Sequence, residues 1–321
     1  MSFSASNMHC SILLYAVVVL AQISGSSAQA ESSIHPDNEN TLKLLRYGEI
    51  GNEKPGLLDA NDDIRDLSGH IDDISPETLD GASLAKIRSL DWRGLPVVEG
   101  NPRLGIPIVG TGKIVAVGFN YLDHVEETGQ EVPKEPVIFM KATTALSGPN
   151  DDVIEPKGAS MLDWEVELAI VIGTKAQYVE KEDALNYVAG FTIGNDVTER
   201  AFQVYRGGQY VKGKSADTFA PIGPYLLVDD DFDASNLDIW LEVNGENQQR
   251  SNTEHLIFDP AFLVSYISGF MTLEPGDIIL TGTPGGIGGT QDPPVFLKPG
   301  DVMRLGISEL GEQSQTVILY E

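Results

Sequence analysis

The chain of 321 residues has a single cysteine, Cys10, so no intramolecular disulfide can form and no thiol is available in its body as nucleophile or metal ligand. Basic residues are scarce: 21 Lys and Arg stand against 48 Asp and Glu, for a formal net charge of −27. Such a surface repels phosphate backbones and excludes nucleic acid as an expected partner. An anionic small molecule would need a local basic or metal-bearing pocket. Long apolar runs are missing as well. The segment 12–23 is too short for a comfortable membrane span, and no tandem repeat or low-complexity tract interrupts the chain. Gly213-Lys214-Ser215 invites a phosphate-loop reading, which is set aside here because Gln209 is taken as the place of the earlier glycine.

What remains is a globular composition, 41% hydrophobic with a mean hydropathy of −0.09. Residues 1–30 carry no Lys, Arg, Asp or Glu, and the apolar segment is followed by Ser24–Ala30, whose Ala28 and Ala30 form an Ala-x-Ala cleavage pattern. This predicts a signal peptide removed after Ala30 and a periplasmic or secreted protein with no stable membrane span. The start carries no Lys or Arg, which leaves an uncleaved anchor or a start at Met8 as rivals, and a cytoplasmic chain is the alternative location. Residues 31–41 read as a flexible lead-in. Residues 42–110 read as a small N-terminal α+β domain, its apolar runs broken by Gly48, Gly51 and Pro55-Gly56. Within it, Ser75-Pro76 predicts a helix start with Ser75 as N-cap and Pro76 in the first turn. A Pro/Gly-rich join then leads into the main domain, 111–321.

The main domain is organised around Trp164–Ile172, an apolar run holding Glu165 and Glu167. Residues two apart on a strand share a face. Burying two like charges there is costly unless a cation or proton is supplied. Asp196 ends the next apolar run, and three carboxylates at strand positions point to a hard divalent cation, with a solvated acidic face as the alternative. A short helix over Leu122–Thr128 would put His124 and Glu127 on one face, so that the carboxylate orients an imidazole base; the loop after it would let the helix act as a lid. Arg200 and Gln203, on the helix expected after Asp196, are candidate ligands for an anionic substrate. Lys141 closes the strand 137–141. The glycine-rich run 281–289 predicts a loop whose amides and Thr hydroxyls approach a ligand. Phe262, Tyr266 and Phe270 recur at helical spacing in 259–271 and are expected in the core.

Taken in order, GFNYLDH, DWEVELAIVIG, GNDVTERAFQ, GKSADTFAPIGP, VNGENQQ, LEPGDIILTGTPGGIG and the closing PGD resemble the fumarylacetoacetate hydrolase family. The likeness covers about 113–317 and is nearest in appearance to bacterial 2,4-diketo-3-deoxy-sugar-acid hydrolases and ureidoglycolate lyase-like members. It implies an α+β, mostly β fold of layered mixed sheets in a rolled β-sandwich, usually a homodimer, with one Mg²⁺ or Mn²⁺ per subunit. The same resemblance implies Glu165, Glu167 and Asp196 as metal ligands. It makes His124, Glu127 and Lys214 catalytic, and Lys141, Arg200, Gln203 and Thr283 substrate-binding. The activity it implies is metal-dependent hydrolysis of a carbon–carbon bond in a 2,4-diketo acid, releasing pyruvate. Ureidoglycolate lyase, oxaloacetate decarboxylase, 2-hydroxyhepta-2,4-diene-1,7-dioate isomerase and an exported binding protein of the same fold are the alternatives.

Overall fold

Seven consecutive residues with no exposed face, Val166–Ile172, mark the middle of the molecule. In a computed structural model that describes residues 41–321, this strand is flanked on both edges in a ten-stranded mixed sheet. A near-continuous apolar run is what a strand covered on both faces needs. The strand order is Ile64–Asp66, Lys54–Leu58, Leu42–Tyr47, Ala220–Val228, Val188–Asn195, Val166–Ile172, Ile278–Leu280, Ile114–Gly118 and Val137–Lys141, with Leu146–Ser147 paired to Ala220–Val228. The segment 42–110 therefore feeds three strands into the same sheet as the main domain, through Leu42–Tyr47 on Ala220–Val228. The predicted signal peptide lies outside the described residues.

A second, five-stranded sheet (Glu246–Asn252, Asp238–Val243, Val302–Ile307, Gly311–Leu319, Val153–Glu155) forms the other layer. It is tied to the first by buried amides: Gln313 Nε2 donates to the Ile193 and Gly223 carbonyls, each at 2.9 Å, and Asn195 Nδ2 donates to Gln315 Oε1 at 3.1 Å. Asn244 and Gly245 take positive φ, as the type I′ turn between its first two strands requires. The layered, mostly β architecture expected from the family resemblance is the one observed.

Among the described residues five short helices decorate these sheets: α1 (Gly81–Arg88), α2 (Leu122–Thr128), α3 (Arg200–Tyr205), α4 (Tyr210–Lys214) and α5 (Pro260–Ser268). Two expectations are corrected here. Ser75-Pro76 does not open a helix: the Ser75 hydroxyl donates to Glu77, Thr78 closes a turn on Ser75, and the helix begins at Gly81 with Asp80 accepting from the amides of Ala82 and Ser83. A carboxylate at the cap position supplies what the first helical amides lack. On α5 the inward residues are Leu263, Val264 and Ile267, whereas Phe262 and Tyr266 are half-buried and Phe270 is 66% exposed. The aromatic residues contact one another along the outer side instead: Phe262 and Tyr266 stack with centroids 5.8 Å apart, and Phe270 meets Tyr266 tilted at 57° and 4.9 Å.

Candidate active site

The antiparallel register of Val166–Ile172 with Val188–Asn195 sets Glu167 opposite Gly194, and Asp196 follows two residues later, with its amide donating to the Glu165 carbonyl at 2.8 Å. Glu165, Glu167 and Asp196 are all buried, and each offers an oxygen within 4.8 Å of the others. Two of the three have cationic partners. Lys214 Nζ donates to Glu165 Oε2 and Asp196 Oδ2, each at 2.6 Å; Arg200 donates to Glu165 Oε1 at 2.6 Å; Lys141 Nζ bonds Asp196 Oδ1. Burial works against the charge of Glu165, but Lys214 and Arg200 outweigh it and bring the carboxyl down to about 2.

Glu167 is different. Its Oε2 accepts from the Gly282 amide at 2.7 Å, and burial together with the charges of Asp196 and Glu165 pushes its carboxyl well above the carboxylate range. Nearby, the Tyr121 hydroxyl is buried without a partner. A donor set made wholly of oxygens, gathered in the interior and short of positive charge on one side, fits a hard divalent cation. Glu165, Glu167 and Asp196 would hold it.

Two glycines make this geometry possible. Gly282 has φ +104°, and a Cβ there would sit 2.8 Å from the Asn120 Cβ; Gly213 lets α4 close on α3, where a Cβ would meet the Gln203 Cβ at 2.6 Å. The tight α3–α4 packing delivers Lys214 to the carboxylates. The phosphate-loop spacing also needs correcting: the motif's first glycine falls five residues before Gly213, at Gly208, so Gly208 to Ser215 does match it. The structure removes the reading on other grounds. The segment forms α4 rather than a loop between strand and helix, and the Lys214 ammonium faces carboxylates.

A cavity of about 420 Å³ opens beside the cluster, lined at its inner end by Glu165, Lys214, Arg200, His124 and Thr283. On α2, His124 Nδ1 lies 3.3 Å from Glu127 Oε2, and the imidazole stacks on Phe119 at 5.6 Å. Glu127 also accepts from the Gly286 amide at 3.1 Å and from the Thr290 hydroxyl, so it clasps α2 to the glycine-rich loop. Gln203 lines the cavity and accepts from Arg200 at 3.4 Å. Thr283 lines it too, with its hydroxyl donating to the Val166 carbonyl at 2.9 Å. Lys141 is placed otherwise than expected: it is buried behind the cluster on Asp196 and is not part of the cavity wall.

Two residues given no role from sequence prove central. Asp163 is fully buried and accepts from Arg200 Nε at 2.8 Å, from the Trp164 and Gly288 amides at 2.9 and 2.7 Å, and from the Gly289 amide at 3.0 Å. It thus fixes Arg200 and the glycine-rich loop together. Gln249, also buried, accepts from the Val166 amide at 3.1 Å and donates to Thr283 Oγ1 at 2.8 Å. The only sequence signal for either was position inside a motif already quoted, DWEVELAIVIG for Asp163 and VNGENQQ for Gln249.

The chain is similar to known proteins over most of its length. Residues 113–318 match the model for the fumarylacetoacetate (FAA) hydrolase C-terminal domain. A Burkholderia ambifaria protein whose name assigns it provisionally to the hydrolases is 52% identical over 277 residues, covering 86% of this chain and 98% of that protein. A Mycobacterium abscessus structure described as a probable 2-hydroxyhepta-2,4-diene-1,7-dioate isomerase is 35% identical with a TM-score of 0.76, covering 88% of this chain and 99% of its own. Maleylpyruvate hydrolase from Sphingobium sp. SYK-6, solved with manganese(II) and pyruvate, is 29% identical with a TM-score of 0.73, covering 87% of this chain and all of the other.

Proposed function

This chain belongs to the fumarylacetoacetate hydrolase family, and on that premise we propose that it hydrolyses the C3–C4 bond of a 2,4-diketo acid and releases pyruvate. The observation that carries the reading is the buried Glu165/Glu167/Asp196 cluster, whose Glu165 shares one cavity wall with His124 of the His124–Glu127 pair. When bound, Mg²⁺ or Mn²⁺ supplies Lewis-acid polarisation of the keto acid. The chain's own residues do the rest. His124, held by Glu127, takes a proton from the water that attacks the 4-carbonyl. The C3–C4 bond breaks with its electron pair on C3; protonation there gives pyruvate, and the acyl carbon leaves as a carboxylic acid. The Lys214 ammonium, kept charged by Asp196 and Glu165 against its burial, is the cation placed to offset negative charge developing on the keto-acid oxygens. Arg200, with its charge reinforced by Asp163 and Glu165, holds the inner wall.

The likeness to a maleylpyruvate hydrolase solved with manganese and pyruvate supports the hydrolytic reading. The likeness to the Mycobacterium abscessus isomerase favours enol–keto isomerisation as the second reading, since it needs the same base and the same electron sink. Incubating the Mn²⁺-loaded protein with acetylpyruvate should consume its ultraviolet absorbance and yield one pyruvate per molecule lost, scored with lactate dehydrogenase. His124→Ala should lower that rate by about 100-fold or more while still binding Mn²⁺. Absorbance change without pyruvate would favour isomerisation; no reaction across a panel of acylpyruvates would sink the hydrolase reading. We infer from the leader composition that the protein is exported, and a mature N-terminus at Glu31 on sequencing would support it, whereas an intact Met1 would count against it.

A further inference from the structure

The cavity has two unlike ends. Its ionic residues Glu165, Lys214 and Arg200 lie at the carboxylate cluster, and His124 lines the same end. The rest of the wall is largely apolar: Phe119 stacks on His124 and Phe139 lies 5.3 Å from the Lys214 ammonium, and Met161, Val204, Tyr210 and Ile287 continue it. Val204 stands four residues beyond Arg200 on α3, about 6 Å further along the helix, and is 57% exposed at the rim. Phe139 and Tyr210 stack with centroids 4.8 Å apart and continue the apolar surface. A volume of about 420 Å³ is of the size that takes ligands well beyond three carbons.

A second substrate carboxylate would find no spare cation among these residues. Arg200 already serves Asp163 and Glu165, and Lys214 serves Glu165 and Asp196. Lys212, bonded to the Arg206 carbonyl at 2.7 Å, and Arg206, stacked on Phe202 at 4.3 Å, are exposed cations without a carboxylate partner among the described residues, and neither lines the cavity. Three hydroxyls of the wall are committed as donors, Thr128 to the His124 and Val125 carbonyls, Thr283 to Val166 and Thr290 to Glu127; the Tyr210 hydroxyl and the Gln203 amide are the neutral donors left to a ligand, and neither carries a charge to match a carboxylate. Burying an unpaired carboxylate or a row of sugar hydroxyls against such a surface is costly, while burying methylenes is favourable.

We propose that the outer half of this cavity is a subsite for an uncharged, apolar acyl substituent, so that the substrate is a 2,4-diketo monocarboxylate with an aliphatic or aromatic tail. This rests on the diketo-acid reading of the inner end, and it sets the chain apart from relatives whose names point to dicarboxylates.

Oxamates test it without turnover, because they share one α-oxo carboxylate and differ only in the tail. Calorimetric titration of the Mn²⁺-loaded full chain should show N-butyloxamate and N-phenyloxamate binding at least about 10-fold tighter than oxamate, given that a buried methylene is worth about four-fold. N-oxalylglycine, with a terminal carboxylate, should bind no tighter than oxamate. Val204→Arg, at an exposed position where folding is not at stake, should reverse the order by placing a cation at the rim. N-oxalylglycine matching N-butyloxamate in the unchanged protein would overturn the proposal, as would a Val204→Arg variant that leaves the order untouched. Failure of every oxamate to bind would overturn the diketo-acid reading itself, and the tail subsite with it. Binding of oxamate with no preference among tails would overturn the subsite alone.

Discussion

Glu167 separates folding from function at the scale of one residue. Its neighbours Glu165 and Asp196 have ammonium or guanidinium partners, whereas its own side chain has a backbone amide at 2.7 Å and two like charges beside it. A carboxyl pushed up by burial and repulsion is a cost to the metal-free protein that a bound cation would relieve. Glu167→Gln keeps the size and an acceptor for Gly282 but removes that charge. The variant should unfold at an unchanged or higher temperature without metal, by calorimetry, and lose Mn²⁺ affinity by at least about 100-fold. A metal-free variant that melts well below the unsubstituted protein would show that the carboxylate is structural. Residues of this kind were legible in the sequence because acids inside an apolar run are conspicuous. Asp163 was not, since an acid at the edge of a run looks like an ordinary surface residue until its four donors are seen. Lys141 was half legible: the basic strand end was correct, but nothing in the run told which side of Asp196 it would occupy.

Among the elements, α2, which we propose acts as a lid, has a fastening that depends on charge. Glu127 would be raised by its partial burial, yet the bonds from His124, Thr290 and Gly286 hold its carboxyl below the ordinary value of 4.5. The folded pKa is thus depressed relative to the unfolded one. The clasp is complete above the unfolded value and is lost as the pH falls through the depressed folded value. Hydrogen exchange over 122–128, corrected for intrinsic rates, should therefore show protection constant from neutral pH down to about 5 and falling below about 4. Glu127→Gln should show the lower protection at every pH. A pH-independent lid in the unsubstituted protein would sink this account. The element boundaries here were readable: the strand Val137–Lys141, the strand Val188–Asn195 and α2 itself lie where periodicity and a following glycine put them. On α5 periodicity was ambiguous. Phe262, Tyr266 and Phe270 share a stripe, but so do Leu263 and Ile267, and only packing against the strands decides which stripe turns inward.

Taken whole, the molecule carries its excess charge on the outside. Within the site, Asp163, Glu165, Glu167 and Asp196 stand against Lys214, Lys141 and Arg200, an excess of one acid, so nearly all of the net charge of −27 lies elsewhere in the chain. Removal of residues 1–30 would not change it, because that segment has no Lys, Arg, Asp or Glu. Like charges spread over a surface destabilise the compact state at distances that salt screens, while buried pairs are screened far less. The screening length falls from roughly 30 Å at 10 mM salt to under roughly 5 Å at 0.5 M. Raising NaCl across that interval should therefore raise the melting temperature by several degrees, followed by circular dichroism at pH 7. The opposing term is specific ion pairing, such as Arg103 with Asp151 at 2.6 Å and with Glu53 at 2.9 Å, which salt weakens. With 48 acids to 21 bases, most carboxylates have no base available to pair with, so repulsion outnumbers attraction and the net effect is stabilising. A melting temperature that falls with salt would mean that those few part-buried pairs outweigh the unpaired acids, and the acidity would then need a reason other than tolerated repulsion.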